Sequence, residues 1–230
     1  MVINKLLIQV PIFFLLGGLT TFCLEPYRLY PLIFCFSFAI FGICGTSNLK
    51  DTFYLSFSLA FGWFFLGLYW IANAFLVKSG FYLFLMPIAA ALLPIFLSLI
   101  WSTAFIIAKL ISSKIGEIHI NSIILLSIFE YLRGKLLQFP WLMPGNFFSS
   151  DEILIQGFSF IGSYSMNVIF LFIVILPILI INYKKKSIFP IIFILAPIII
   201  LFIKSYDRYL NKPTTSFNES HLINIIQPNI

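Results

Sequence analysis

Charge spacing constrains this chain more than any other feature. Asp, Glu, Lys and Arg are so sparse that uncharged runs stretch over residues 6–24, 29–49, 52–77, 79–108, 153–183 and 187–203. A helix needs about 20 apolar residues to cross the hydrocarbon core of a bilayer, and these runs meet or approach that length. A seventh segment, 118–137, is long enough once its helix continues through Glu130 and Leu132 towards Leu137. Composition agrees: 61% of the 230 residues are hydrophobic, 19% aromatic and 10% charged, whereas soluble domains are about a quarter charged. A soluble globular domain is thereby excluded. The expected fold is an all-α integral membrane protein, a bundle of about seven transmembrane helices over residues 1–204. Backbone groups in lipid must be bonded within their own segment, so the Ile- and Phe-rich runs are helices despite their strand-favouring side chains. Pro11, Pro87, Pro94, Pro177, Pro190 and Pro197 fall inside these spans and are expected to kink them.

The net charge of +6 is carried in short gaps between apolar runs, where Lys and Arg orient helices. Nucleic acid is therefore not an expected partner; the bilayer is. Seven spans put the chain ends on opposite sides. With the N-terminus in the cytoplasm, the inner segments hold seven positive charges (Lys5, Lys50, Lys109, Lys114 and Lys184 to Lys186). The outer loops hold four (Arg28, Lys78, Arg133 and Lys135). The N-terminus is accordingly read as cytoplasmic and the C-terminal tail as outside, although that tail adds Lys204, Arg208 and Lys212.

Cys23, Cys35 and Cys44 lie in or beside apolar runs and read as small buried hydrophobes, with neither a disulfide framework nor paired zinc spacing. His119 reads as an interfacial residue and His221 as a tail residue. No metal or cofactor is expected. The first run, 19 residues long, exceeds a signal-peptide core and lacks a small-x-small site, so it reads as a retained anchor. Beyond the last span, residues 205–221 form a polar, turn-rich tether, and 222–230 (Leu-Ile-Asn-Ile-Ile and Gln-Pro-Asn-Ile) read as the first strand of a further, soluble domain.

Polar, charged and aromatic residues gather densely in one place: Glu130-Tyr131-Leu132-Arg133-Gly134, Phe139-Pro140-Trp141 and Gly145-Asn146. Glu130 and Arg133 are three apart and share a helix face. Two readings stand: an interfacial ion pair within a Trp/Tyr belt, or a polar mouth in which Arg133 receives a phosphate and the Phe-Pro-Trp turn grips an acyl chain or glycerol. A second cluster, Gly62 to Tyr69, Trp70 and Asn73, offers glycines for close helix approach and aromatics for interface anchoring. The candidate substrate-binding residues are Glu130, Arg133, Phe139, Pro140, Trp141, Tyr69 and Trp70. A small transporter is disfavoured because the mid-span regions lack the ionisable residues that mark transport pathways.

The order of these motifs resembles the membrane part of the apolipoprotein N-acyltransferase family. The resemblance rests on Gly67-Leu68-Tyr69-Trp70, Glu130-Tyr131-Leu132-Arg133-Gly134, Phe139-Pro140-Trp141, Gly145, Gln156, Gly162 and Ile226-Gln227-Pro228-Asn229-Ile230. Gln138 stands where the family usually has Gly, and Asn146-Phe147 replaces a Tyr-Ser pair. The resemblance implies a bacterial inner-membrane protein that transfers an acyl chain from a phospholipid donor to a diacylglyceryl apolipoprotein. It implies a Glu-Lys-Cys triad in a nitrilase-like α/β domain, of which 222–230 would be the first strand. None of the three catalytic residues is expected within this chain. Alternatives are a non-catalytic membrane remnant, or one subunit of a split enzyme with a separately encoded nitrilase-like half. Alkaline phosphatase fused after Ile230 is expected to be active, and fused after Lys186 inactive; the reverse pattern would invert the topology.

Overall fold

A computed structural model describes residues 5–77, 80, 82–113, 115–182 and 189–212. Among the described residues there are eight α-helices and no strand. They are α1 (Lys5–Thr21), α2 (Ile33–Cys44), α3 (Leu49–Gly67), α4 (Ala74–Val77), α5 (Tyr82–Ile111), α6 (Ile115–Leu136), α7 (Gly157–Asn182) and α8 (Phe189–Leu210). The expected strand at 222–230 and most of the tether lie outside the described residues. The last helix runs on to Leu210, past the expected end at 204, and keeps Ser205 buried.

The helices pack in a chain of neighbours, α1 on α3, α3 on α5, α5 on α6 and α6 on α7, while short α2 touches α1, α3, α6 and α7. Phe36 of α2 shows why this centre holds. Its ring lies 6.1 Å from Trp63, 5.6 Å from Trp101 and 6.4 Å from Phe170, so one buried side chain meets α3, α5 and α7. The α1–α3 contact is backbone-close. A Cβ on Gly17 would overlap the Leu59 carbonyl, and one on Gly62 would overlap the Phe14 carbonyl. Gly67 serves a different contact, leaving room for the Leu142 side chain.

Two helices, Leu83–Ile111 and Leu154–Ile181, are long and apolar enough to cross a membrane, and a third joins them if the bent pair Leu49–Gly67 and Tyr69–Leu76 is one span. This is fewer than the seven spans expected. An uncharged run marks where charge is absent, not where a helix begins. Run 29–49 yields a helix of only 12 residues, because a 3-10 turn at Tyr30–Leu32 precedes it and Asn48 already caps α3, its side chain accepting from Asp51 N at 2.8 Å. Likewise α1 has 17 residues, and α6 carries Glu117, Glu130, Arg133 and Lys135. Run 52–77 bends by 49° after Gly67. The proline kinks are also redistributed: α7 continues through Pro177, and its non-helical residue is Gly162, at φ 77° and ψ 170°.

Overpacking a backbone-close contact costs roughly 1–3 kcal/mol. Gly17→Ala and Gly62→Ala are each expected to lower unfolding stability in detergent by about that amount. Gly45→Ala, whose added Cβ meets only ordinary van der Waals neighbours, is expected to change it by about 0.5 kcal/mol or less.

Candidate functional site

The last turns of α6 bring Glu130 and Arg133 together inside the protein, 0% and 2% exposed. Arg133 Nε donates to Glu130 Oε1 at 2.9 Å and Nη2 to Oε2 at 2.6 Å, a two-pronged charge-assisted pairing. From α5, Trp101 Nε1 donates to Oε1 at 2.7 Å. Arg133 Nη1 donates to the carbonyls of Phe139 at 2.8 Å and Trp141 at 3.0 Å. The guanidinium lies 5.5 Å from the centre of the Phe64 ring, within cation–π range.

Neither side chain reaches the protein surface, and the Arg133 donors are directed at Glu130 and at the carbonyls of the following loop. A charge this deep is tolerated only when paired and fully hydrogen-bonded, and here the second set of partners is loop backbone. The pair is a clasp that fixes residues 139–141.

The loop itself turns through two left-handed residues, Gln138 at φ 52° and Leu142 at φ 55°, a region that costs an L residue about 1–2 kcal/mol. The glycine that the resembled family usually carries at the Gln138 position suits this backbone. Further ties come from elsewhere. Trp63 Nε1 donates to the Leu142 carbonyl at 3.2 Å, and Asn167 Oδ1 of α7 accepts from Gly145 N at 2.9 Å. Gly145 is pressed so near α7 that a Cβ would overlap the Asn167 backbone.

What the clasp presents outward is Trp141, 55% exposed, with its ring 5.5 Å from that of Trp70. Tyr69 is exposed next to Trp70 in the 3-10 turn Tyr69–Asn73. These three rings, with Phe22, Tyr27 and Asn146, border a cavity of about 480 Å³. Of the seven candidate residues, Tyr69, Trp70 and Trp141 thus share one cavity. Glu130 and Arg133 do not border it, Arg133 instead bordering an apolar groove between α5 and α6, while Phe139 is half-buried and Pro140 exposed on the connecting loop. Trp63 falls within the second sequence cluster and Leu142 directly follows Phe139-Pro140-Trp141, whereas Trp101 and Asn167, inside apolar runs, carry no sequence signal of their role. His119, expected at an interface, is buried with its ring 6.2 Å from Phe41. Among the described residues no group of three or more His, Cys, Asp or Glu could hold a metal ion.

The fold and site define a helical membrane domain that displays an aromatic cavity on an internally clasped loop. The family model of the apolipoprotein N-acyltransferase N-terminal domain matches residues 16–176, and the chain belongs to that family. Among its relatives are apolipoprotein N-acyltransferases of Rhodopseudomonas palustris, 32% identical over 67% of this chain and 30% of the relative, and of Sinorhizobium fredii, 28% identical over 73% and 34%. A third, from Rickettsia typhi, is 29% identical over 70% of this chain and 32% of the relative. The chain therefore spans about a third of the length of the curated relatives it matches.

Removing one partner of a buried ion pair costs about 3–5 kcal/mol, because the other charge is stranded. Arg133→Ala and Glu130→Ala are each expected to lose stability on that scale in a denaturant titration. The double variant Glu130→Leu with Arg133→Met, which leaves no stranded charge, is expected to be more stable than either single one.

Proposed function

We propose that this chain is the membrane part of an apolipoprotein N-acyltransferase, acting in the bacterial inner membrane with its N-terminus cytoplasmic. The observation that carries the reading is the family match running across the helices and loop that frame the aromatic cavity.

In this reading a cysteine thiolate of the nitrilase-like part attacks an ester carbonyl of a phospholipid, forming a thioester and releasing a lysophospholipid. The α-amino group of a diacylglyceryl-cysteine then attacks the thioester, forming an amide and returning the thiol, with a Glu as general base and a Lys stabilising the developing charge. The residues of this chain have a positioning task. Trp70, Trp141 and Tyr69 offer flat apolar faces with polar edges to the glyceryl and proximal acyl region of the lipid substrates. Phe139 and Pro140 shape the turn, and Glu130 and Arg133 hold it still, so the cavity is organised before substrate arrives.

The cysteines of residues 1–230 are not assigned the thiolate role. Cys23 and Cys44 are buried; Cys23 Sγ lies 3.4 Å from the Leu29 carbonyl and Cys44 Sγ 3.5 Å from Ser122 Oγ. The 230-residue polypeptide alone is accordingly expected not to rescue growth of a cell depleted of its own N-acyltransferase. A chimera carrying the C-terminal part of the Rhodopseudomonas palustris relative is expected to rescue it. In that chimera, Trp70→Ala with Trp141→Ala is expected to lower the rate of lipoprotein N-acylation about tenfold or more, the scale of losing aromatic anchors worth about 1.4 kcal/mol or more. An unchanged rate would take the cavity out of the reaction. Rescue by the unfused chain, abolished by changing Cys23 or Cys44, would return a catalytic role to those thiols.

A further inference from the structure

The far end of α8 is pinned to the start of α7. Leu201, Ser205 and Arg208 follow one another at four and three residues, so they share one face of α8. Ser205 on that face is 1% exposed, and a Cβ on Gly157, the first residue of α7, would come to 3.5 Å from Leu201 Cδ2. Beyond Ser205 the contact turns polar. Arg208 Nε donates to Gln156 Oε1 at 3.2 Å, and its guanidinium lies 5.8 Å from the centre of the Phe160 ring. The Tyr209 hydroxyl donates to the Glu152 carboxylate, which raises that phenol above its ordinary pKa.

The opposing segment is shaped by bonds of its own. Asp151 Oδ1 accepts from Ile153 N and Leu154 N, both at 2.9 Å, where the 3-10 turn Leu154–Gln156 begins. Gln156 Nε2 donates to the Glu152 carbonyl at 3.2 Å, which turns Oε1 of the same amide toward Arg208. Just after the first turn of α7 the helix breaks at Gly162, whose φ of 77° and ψ of 170° belong to a region essentially reserved for glycine. A Cβ there would meet nothing within 4 Å, so backbone conformation and not space selects the glycine. The break lets residues 157–161, with Phe160, take an angle separate from the part of α7 that buries Met166, Phe170 and Val174.

We propose that Arg208 and Gln156 are positioning residues of a latch, completed by Glu152, Phe160 and Tyr209, that holds the end of α8 and fixes the direction in which the chain leaves the bundle. A terminal helical turn with nothing to hold it opens at almost no cost, so a few exposed contacts decide whether this one is ordered. The latch and the aromatic cavity share a rim. Arg28 borders the polar cavity that Tyr209 and Glu152 border, and it pairs with Glu25, which borders the aromatic cavity. A tethered group acts at an effective concentration set by the volume its tether lets it search, and a fixed exit narrows that volume. This last step rests on the acyl-transfer reading, in which the chain beyond α8 carries the thiolate.

Hydrogen–deuterium exchange of the detergent-purified chain tests the latch by itself. Arg208→Ala is expected to speed exchange of amides 206–212 about fivefold, the scale of one hydrogen bond. Arg208→Lys, which keeps a cation over Phe160, is expected to speed it less, and Gln156→Glu, which sets a carboxylate against Arg208, to slow it about twofold. Gly162→Ala is expected to speed exchange at 157–161 and 206–212 together while 166–179 stay protected. Unchanged exchange at 206–212 in Arg208→Ala and Gln156→Glu, or opening of α7 and α8 as one unit in Gly162→Ala, would overturn the latch. In the chimera described above, Arg208→Ala is expected to lower kcat for lipoprotein N-acylation about fivefold at unchanged KM for the phospholipid, with Arg208→Lys recovering most of it. An unchanged kcat would overturn the positioning role. A chimera with no activity at all would count against the acyl-transfer reading, and exchange would still decide the latch.

Discussion

The Glu130–Arg133 pair is the interaction on which the arrangement of this domain depends. It is fixed on one helix, but its remaining bonds reach α5 through Trp101 and the following loop through the Phe139 and Trp141 carbonyls. Low polarity makes such a network consequential in both directions: satisfied, it defines one geometry, and broken, it strands a charge. The exposed aromatics owe their placement to it. Trp141 can lie against Trp70 because the backbone on which it rides is held from beneath by a buried cation.

The same network orders the packing around it. Trp101 accepts neighbours on its apolar side, with Trp63 at 6.2 Å and Phe64 at 5.0 Å between ring centres. Trp63 in turn reaches the Leu142 carbonyl. Two indoles thus serve both as core filling and as donors to the polar loop, which links the tightly apposed α1–α3 contact to the aromatic cavity through α3. Asn167 ties the far end of the loop to α7, so α3, α5, α6 and α7 all contribute to holding one irregular segment.

Much of this was legible in the sequence. Helical class followed from hydropathy and charge spacing, and the density of polar and aromatic residues at 130–146 pointed to the right segment. The three-residue spacing of Glu130 and Arg133 announced their pairing. Its burial was not announced, since an ion pair near the end of an apolar run reads equally as surface anchor or as core. The deciding partners are distant: Trp101 lies 29 residues before Glu130 and Trp63 79 before Leu142, and a tryptophan within an apolar run carries no mark of its bonding partner. The span count failed for a related reason. Caps, turns and the bend after Gly67 consume uncharged residues without adding helix, and only the neighbours reveal where a helix stops.

That the ion pair is intrahelical bears on how the chain enters a membrane at all. A lone charge at a helix centre raises the insertion free energy by about 2.5–3.5 kcal/mol, and two on separate helices would each meet that barrier before finding one another. Glu130 and Arg133 stand three residues apart on one helix, so each charge has its counter-charge wherever α6 is formed, with no second helix needed to supply it. Their α5 partner, Trp101, precedes them in the chain, and the loop carbonyls that complete the guanidinium follow within eight residues of Arg133. One short sequence interval thus supplies both the ion pair and the loop that it holds.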